Sequence, residues 1–518
     1  MRRFAIWSIC LSIASSIIYL CRPNGISLGA IPVALIYGVT FYIARQLTKN
    51  IPKTTKEKPR NVKREQKELA RRQRELNRKR PKFYLWYLLI VLSIVYIVDE
   101  VSSNMGSSIK SEVVTEFFVR GKGMELNKGI ALFDTMSAPL YMTMIAMPFY
   151  KALADRFGRK PFLVINTVGM GVGLAVCLIS QSAIVYLVGM LIVNFFMYND
   201  MQVVYVMENA PDRSRAKLTS LTKAIGLLGV VLIPILRDAF MGNDGSQWRK
   251  VFTIPAIMGI VVGIAAIFLM RETPVFTKKR VEYLQMTDEE RAAQEAEKKK
   301  AADQSKGGVG RALKFMFKHK QIRAVAICGF VFAIATGVTG QYEPIMKTAG
   351  MQTADITQVM YFNTVTYALI TAVTGFVIDG LGRKKSAVLL SVMAFLGLTA
   401  FVLSAQFGLS AAVIGIAYGL FQGGLWSVSD MLCLLVAGES SPTHLRASVM
   451  ATMSLVFGMG TGLSNAVIIV GMLFVKSIGL LALCACAPFM IVTIVLLITQ
   501  VHETRDVDLA TVTGEEWD

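Results

Sequence analysis

Runs of about twenty apolar residues recur along this chain, each long enough to cross the hydrocarbon core of a bilayer as a helix. A backbone in lipid has to satisfy its own N–H and C=O groups, so such runs point to helical spans. Two come first, at about 4–21 and 28–47, joined by the short turn RPNGIS and read as a hairpin. The basic start MRRF also suits a signal peptide, but no small-residue cleavage site follows it. Further spans fall at about 83–109, 130–151, 161–181, 184–207, 217–237 and 250–270. After a polar stretch come 322–346, 356–378, 385–405, 410–436, 447–474 and 477–499. The expectation is an all-α integral membrane protein of about 14 spans.

The segments between spans complete this organisation. An N-terminal transmembrane hairpin (1–47) leads into a basic cytoplasmic linker helix (48–82), a six-helix bundle (83–270), a cytoplasmic loop (271–321), a second six-helix bundle (322–500) and a cytoplasmic tail (501–518). In the loop, TDEERAAQEAEKKK opens with Thr287 and Glu290, the spacing of a capping box, and predicts a helix there. Val62, Leu69 and Leu76 make too thin a heptad stripe in the linker for a coiled coil.

The net charge is +20, and its placement decides what it means. Residues 49–82 carry 15 Lys/Arg against four Asp/Glu, and residues 271–323 carry 14 against eight. A basic excess confined to loops between apolar spans orients a membrane protein with those loops in the cytoplasm. It also suits anionic lipid headgroups. No nucleic-acid motif accompanies it, so nucleic acid is not an expected partner. Cysteine spacing fits neither a metal nor a redox site, and no metal or cofactor is expected. The three histidines, His319, His444 and His502, lie in or beside loops with no nucleophile–base constellation, so an enzyme is not expected. The absence of a G-x-x-x-x-G-K-[ST] run removes ATP as a driving force of the P-loop kind.

An internal repeat divides the chain. Glu208, Pro211, Arg215 and Ala216 recur as Glu439, Pro442, Arg446 and Ala447, offset by 231. Glu272-Thr273 recurs as Glu503-Thr504 at the same offset. Asp155, Gly158, Arg159 and Lys160 recur as Asp379, Gly382, Arg383 and Lys384, at 224. The two sets of spans are copies of one another.

These landmarks resemble the major facilitator superfamily, whose loop signature is G-x-L-x-D-R-x-G-R-[KR]. KALADRFGRK matches it at Leu153, Asp155, Arg156, Gly158, Arg159 and Lys160, with Lys151 in place of the first Gly. GFVIDGLGRK keeps Gly375 but has Gly380 where the Arg would fall. The E-x-x-P-x-x-x-R pairs and the RETP and HETR endings resemble the sugar porter branch. The resemblance implies two pseudo-symmetric six-helix bundles with alternating access. It also implies a cytoplasmic gate at Asp155, Arg156, Gly158, Arg159, Lys160, Glu208, Arg215, Asp379, Gly382, Arg383, Glu439 and Arg446. Charge-assisted carboxylate–guanidinium pairs would suit that role.

Ionisable groups inside spans are costly, roughly 2.5–3.5 kcal/mol each on insertion scales, and mark pathways. Several occur here: Asp99 and Glu100 in the first core span, Asp200 in the fourth, Glu343 in the seventh and Asp430 in the tenth. The resemblance implies that these four spans line the central cavity. Asn199, Gln202, Gln341, Gln422 and Trp426 are the polar and aromatic candidates to hold a solute there. The expected activity is secondary transport of a small polar solute, sugar-like or an organic cation, coupled to protons, in a plasma membrane of the bacterial inner type. The alternative is a transporter-like nutrient sensor that moves nothing, with the basic linker as its output.

Overall fold

The computed structural model describes residues 62–77, 83–137, 150, 153–154, 157–197, 201–209, 215–242, 244–291, 293–294, 308–442, 445–505, 507 and 512. The expected N-terminal hairpin therefore lies outside the described residues, as do Asp155, Arg156, Asn199 and Asp200. Arg215 is described in its backbone only.

The described residues form helices and no strands. Helix α1 (Val62–Asn77) precedes α2 (Tyr84–Ser108), the short α3 (Lys110–Val114) and α4 (Leu126–Ser137). The N-terminal half continues through α5 (Arg159–Leu178), α6 (Ala183–Met197), α7 (Met201–Asn209), α8 (Arg215–Gly229), α9 (Leu232–Phe240) and α10 (Thr253–Leu269). The central loop holds α11 (Pro274–Gln285) and α12 (Gly308–Lys318). The C-terminal half comprises α13 (Lys320–Ala333), α14 (Tyr342–Thr348), α15 (Thr353–Leu381), α16 (Arg383–Gln406) and α17 (Ala411–Asp430). It ends with α18 (Ala437–Glu439), α19 (Arg446–Gly471) and α20 (Ile478–Thr499). Among the described residues, ten helices are long and apolar enough to cross a membrane.

Two expected spans are broken. The span at 217–237 is divided between α8 and α9, at Val230 and Val231 after the weak helix former Gly229. The span at 322–346 gives way after Ala333 to a 3₁₀ turn, Ile334–Val338, before α14 begins. Gly337 and Gly340 occupy that break, and a β-carbon on Gly337 would lie 2.2 Å from Ser464 Oγ. Val230–Val231 and Ile334–Val338 are themselves apolar, so neither break begins where the apolar run ends. A π-turn, Met431–Val436, follows Asp430 and re-aims the end of that span.

Lipid tails give helices no hydrophobic reason to associate, so close backbone approach carries much of the packing. Gly171 of α5 and Gly259 of α10 meet backbone to backbone, and a β-carbon on Gly259 would fall 2.7 Å from Gly171 Cα. In the other half Gly397 of α16 seats against α17, where its β-carbon would lie 2.5 Å from Phe421 N.

The halves touch through α15 against α8 and α9, through α14 against α2, α3 and α4, and through α19 against α4. One buried apolar core runs through both halves, and includes Met105, Ile109, Phe133, Tyr342, Ile345 and Met346. A second, separate core (Tyr84, Leu88, Leu92, Phe162, Tyr205, Met270) fills the end of the N-terminal half near the Gly158 loop.

Helix α1 is docked by its acids. Glu68 takes both Nε and Nη2 of Arg280 on α11, at 2.9 and 3.1 Å. Glu65 pairs with Arg291 at 3.2 Å, and Arg72 stands over the Phe276 ring, 5.4 Å from its centre. The expected capping box forms: Thr287 N donates to Glu290 Oε2 at 2.8 Å and Glu290 N to Thr287 Oγ1 at 3.3 Å.

Candidate functional site

The repeat found in the sequence is a repeat of bonds. At the start of α5, Gly158 has φ 114°, and the turn exposes the first N–H groups of the helix. The Glu272 carboxylate sits on that helix end: Arg159 N donates to it at 3.0 Å, Lys160 N at 3.2 Å and Thr273 N at 3.0 Å. A carboxylate there satisfies orphan donors and meets the positive end of the helix dipole. Arg159 Nε donates to Glu208 Oε1 at 3.2 Å, and Thr273 Oγ1 donates to Glu208 Oε2 at 2.5 Å. Lys160 Nζ reaches Ile267 O at 2.6 Å.

The second copy reproduces this arrangement. Gly382 has φ 86°, and Glu503 accepts from Arg383 N at 2.7 Å, Lys384 N at 3.1 Å, Arg505 N at 3.0 Å and Thr504 N at 3.1 Å. Arg383 holds Glu439 through Nε at 3.1 Å and Nη2 at 3.0 Å, with Asp379 at 3.9 Å. Thr504 Oγ1 donates to Glu439 Oε2 at 2.5 Å. Arg446 donates to Gly438 O and Ser441 O, at 2.9 and 3.3 Å, and so ties down the turn after α18. These bonds run within each half and join the ends of three spans.

Glu272, Thr273, Glu503 and Thr504 are thus site residues that the sequence reading used as landmarks without giving them a role. Their 231-residue repeat was the available signal. At Gly375 and Gly380, where the loop pattern varies between copies, a β-carbon would meet nothing within 4 Å, so neither position is held by a close approach.

The two carboxylates differ electrostatically. Burial pulls Glu503 upward, but backbone N–H donors from Arg383, Arg505, Lys384 and Thr504 overcome it and leave the carboxyl below its ordinary range. At Glu272 burial prevails over the donors from Thr273, Lys160 and Arg159, and the carboxyl lies above that range. A depressed acid stabilises the fold above its unfolded pKa, about 4.3, and loses that contribution as pH falls through its folded pKa. A raised acid does the reverse, its contribution being present below the unfolded value and lost as pH rises through the folded one. Glu503→Gln is therefore expected to cost on the order of 1 kcal/mol at pH 7, discounted for its exposure, with the deficit closing on acidification. For Glu272→Gln the pH trend should run the opposite way. Thermal unfolding between pH 7 and 4 checks this, and parallel trends for the two variants would contradict it.

The acids expected in the cavity part company. Asp99 is buried at 7% exposure and accepts from Gln202 Nε2 at 2.7 Å, which pins α2 to α7. Asp430 is open, its side chain 63% exposed, and faces Lys223 of the other half at 4.0 Å. Trp426 is partly exposed one turn before Asp430, and Gln422 one turn earlier. Asp430 and Lys223 thus face each other across a cleft between the halves, with Trp426 and Gln422 on the same helix as Asp430. Lys223 was missed although the signal was present, since it is an ionisable group inside the expected span 217–237.

Gln341 and Glu343 lie elsewhere. The 3₁₀ break carries them to the end of the bundle away from the Gly158 and Gly382 loops, into a buried polar cluster between halves. Gln341 Nε2 donates to Asp134 Oδ2 at 2.6 Å, and Ser111 N donates to Glu343 Oε2 at 2.8 Å. Tyr342 OH and Ser108 Oγ lie 2.7 Å apart, and Lys110 Nζ donates to Gly340 O at 3.1 Å while pairing with Asp134. Arg237 pairs with Glu112 at 3.4 Å, donates to Thr357 Oγ1 at 3.2 Å and also donates to Ser108 O. At that end the halves are latched together, while Asp430 and Lys223 remain open to the cleft.

Two helical halves facing each other across a polar cleft, with one charged loop repeated in both, define a membrane protein of transporter architecture. Residues 127–465 match the profile of the Major Facilitator Superfamily, and the chain belongs to that family. Over 130 residues it is 32% identical to the multidrug resistance protein MdtL of Klebsiella pneumoniae strain 342, a match covering 25% of this chain and 33% of that relative. Over 290 residues it is 23% identical to the glucose transporter GlcP of Staphylococcus epidermidis, covering 52% and 63%. The chain thus spans a third of the length of the first of these relatives. Among solved structures, the fold is similar to the partially occluded inward open xylose transporter XylE of E. coli. The TM-score is 0.59 at 16% identity, over 82% of this chain and 100% of that one. It is also similar to a bacterial homologue of the human lysosomal transporter Spinster, with TM-score 0.52 at 15% identity over 82% and 96%.

Proposed function

We propose that the protein is a secondary active transporter that moves a small polar solute, a sugar or an organic cation, across the membrane by alternating access with proton coupling. The observation that carries this reading is the cleft. Asp430 of one half and Lys223 of the other face each other across it at 4.0 Å, both exposed, beneath a far end where the halves are bonded together. A carboxylate in such a cleft can hold a cationic solute or exchange a proton, while Gln422 and Trp426 offer a hydrogen-bonding and a stacking surface. Relatives named for glucose and for drugs fit a cleft that combines carboxylates with aromatic faces.

The Arg159–Glu208–Glu272 and Arg383–Glu439–Glu503 networks act as the gate, with Asp155, Arg156, Arg215, Asp379 and Arg446 as further members. Each network ties three helix ends of one half into a unit that moves as a body. The loop end faces the cytoplasm by the basic excess of the linker and central loop. The same reading keeps the two bundles at 83–270 and 322–500, an N-terminal hairpin bringing the total to about 14 spans, both termini in the cytoplasm of a bacterial inner membrane, and anionic lipid at the basic loops.

Uptake into proteoliposomes under an imposed pH gradient, with sugars and organic cations as solutes, tests the proposal. Gradient-driven accumulation is expected in the native chain, and Asp430→Asn should reduce it at least tenfold. Absence of flux for every solute of both classes would sink the reading.

A further inference from the structure

We propose that Glu343 is a proton-binding site built into the far-end latch: it holds a proton while the halves are joined there and releases it when they part. This inference deepens the proton-coupled reading above by placing one proton outside the cleft.

The cluster contains three carboxylates and two cations. Glu112 is matched by Arg237, with side chains 3% and 0% exposed, and Asp134 by Lys110, 11% and 7% exposed. Glu343 is the remaining acid and is 0% exposed. Its Oε2 accepts from Ser111 N, with the Ser111 hydroxyl beside the carboxyl, while its buried Oε1 makes no hydrogen bond among the described residues. An ionised carboxylate in that position is a buried charge with half its acceptor capacity unused, and the neutral acid is the stable form.

The surroundings leave few other charges to compensate it. Glu112 and Arg237 are its charged neighbours, and the Arg237 guanidinium is already shared among Glu112, Thr357 and Ser108. Lys110, beside Glu112 on α3, is taken by Asp134 and Gly340 O. On its own helix, Lys347 donates to Thr353 Oγ1 at 3.0 Å. Of the other helices packed on α14, α20 has no charged residue, α16 carries its charges at Arg383, Lys384 and Lys385, and α15 carries Asp355 in its first turn and Asp379 at its other end, beside the Gly382 loop. On α2, Asp99 and Glu100 lie at least eight residues, about 12 Å, below Ser108.

Parting of the halves breaks the Ser111–Glu343 and Ser108–Tyr342 bonds together, and water then reaches the carboxyl. The proton leaves Oε1 or Oε2 for water, and the carboxylate that remains opposes reclosure. One proton linked to one two-state motion changes the joined-to-parted ratio by up to about tenfold per pH unit, between the carboxyl pKa values of the two states. Low pH on the far side therefore closes that side.

The test uses the full chain in nanodiscs with no solute present. Labels at the exposed positions Glu125 and Lys476, one in each half, report the far-end distance as pH is raised. The native chain should pass from a short to a long distance with that slope. Glu343→Gln, which keeps an acceptor for Ser111 N, should stay short at every pH, whereas Lys128→Met, on the rim outside the cluster, should retain the slope. A Glu343→Gln slope equal to that of the native chain overturns the proposal. Proteoliposome uptake separates this from the broader reading. Gradient-driven uptake with an unchanged slope in Glu343→Gln rejects the latch alone, and a titrating latch without gradient-driven uptake rejects proton coupling alone.

Discussion

Arg237→Met should be the most damaging single substitution in the described structure, with a loss of about 3–5 kcal/mol. Its guanidinium is 0% exposed and serves acceptors on α2, α3 and α15, so one side chain joins the two halves. Truncation leaves Glu112 as a buried charge without its cation, and that residual charge, more than the lost contact, accounts for the size of the effect. Thermal unfolding in nanodiscs measures it. Arg237→Met combined with Glu112→Leu should recover most of the loss, because a buried ion pair replaced whole by apolar groups costs little. If the double variant were as unstable as the single one, the charge argument would be wrong and simple loss of packing would replace it. Lys128→Met on the partly exposed rim is the control and should stay within about 0.5 kcal/mol of the native chain.

The second large effect is expected at Gly158. A β-carbon there would lie 2.3 Å from Glu272 Oε2, in a backbone conformation that side chains rarely adopt. Gly158→Ala therefore has to displace Glu272 from the start of α5, and with it Thr273 from Glu208. Backbone strain of about 1–2 kcal/mol adds to the lost charge-assisted bonds. Transport should fall by tenfold or more, and labels across the loop end should show a shifted balance between open and closed states. Gly382→Ala, with 2.6 Å to Glu503 Oε2, should behave alike in the other half. Gly375→Ala, in open space seven residues earlier, should transport at the native rate. Normal transport by Gly158→Ala would show that the network is orientation without gating.

Much of this site was legible because it is written twice. Arg159–Glu208 and Arg383–Glu439 could be read as partners since both members repeat, and the structure makes both bonds. Glu272 and Glu503 were visible as repeats but not as gate members, because their partners are backbone amides more than a hundred residues earlier, and backbone donors leave no mark in a sequence. Gln341 and Glu343 stand five and three residues from the end of the expected span 322–346, and what the sequence does not show is the cluster they form there with Asp134 and Ser111 of the other half. Lys110 and Glu112 fall just beyond an apolar run, where charges are ordinarily in water. Here Arg237 and the Gly245 turn cover Glu112, Asp134 pairs with Lys110, and α14 approaches from the other half.

The docking of α1 has a mechanical consequence. Glu65 and Glu68 fasten it to Arg291 and Arg280, and its last turn reaches Glu272, whose N–H points to Glu75 Oε1 at 3.4 Å. A pull on the chain ahead of Val62 is therefore borne by two ion pairs on the central loop before any of it reaches α2. The helix is a strain relief: it isolates the first core span from traction on the N-terminal segment, and it delivers whatever force exceeds those two pairs to the backbone of Glu272.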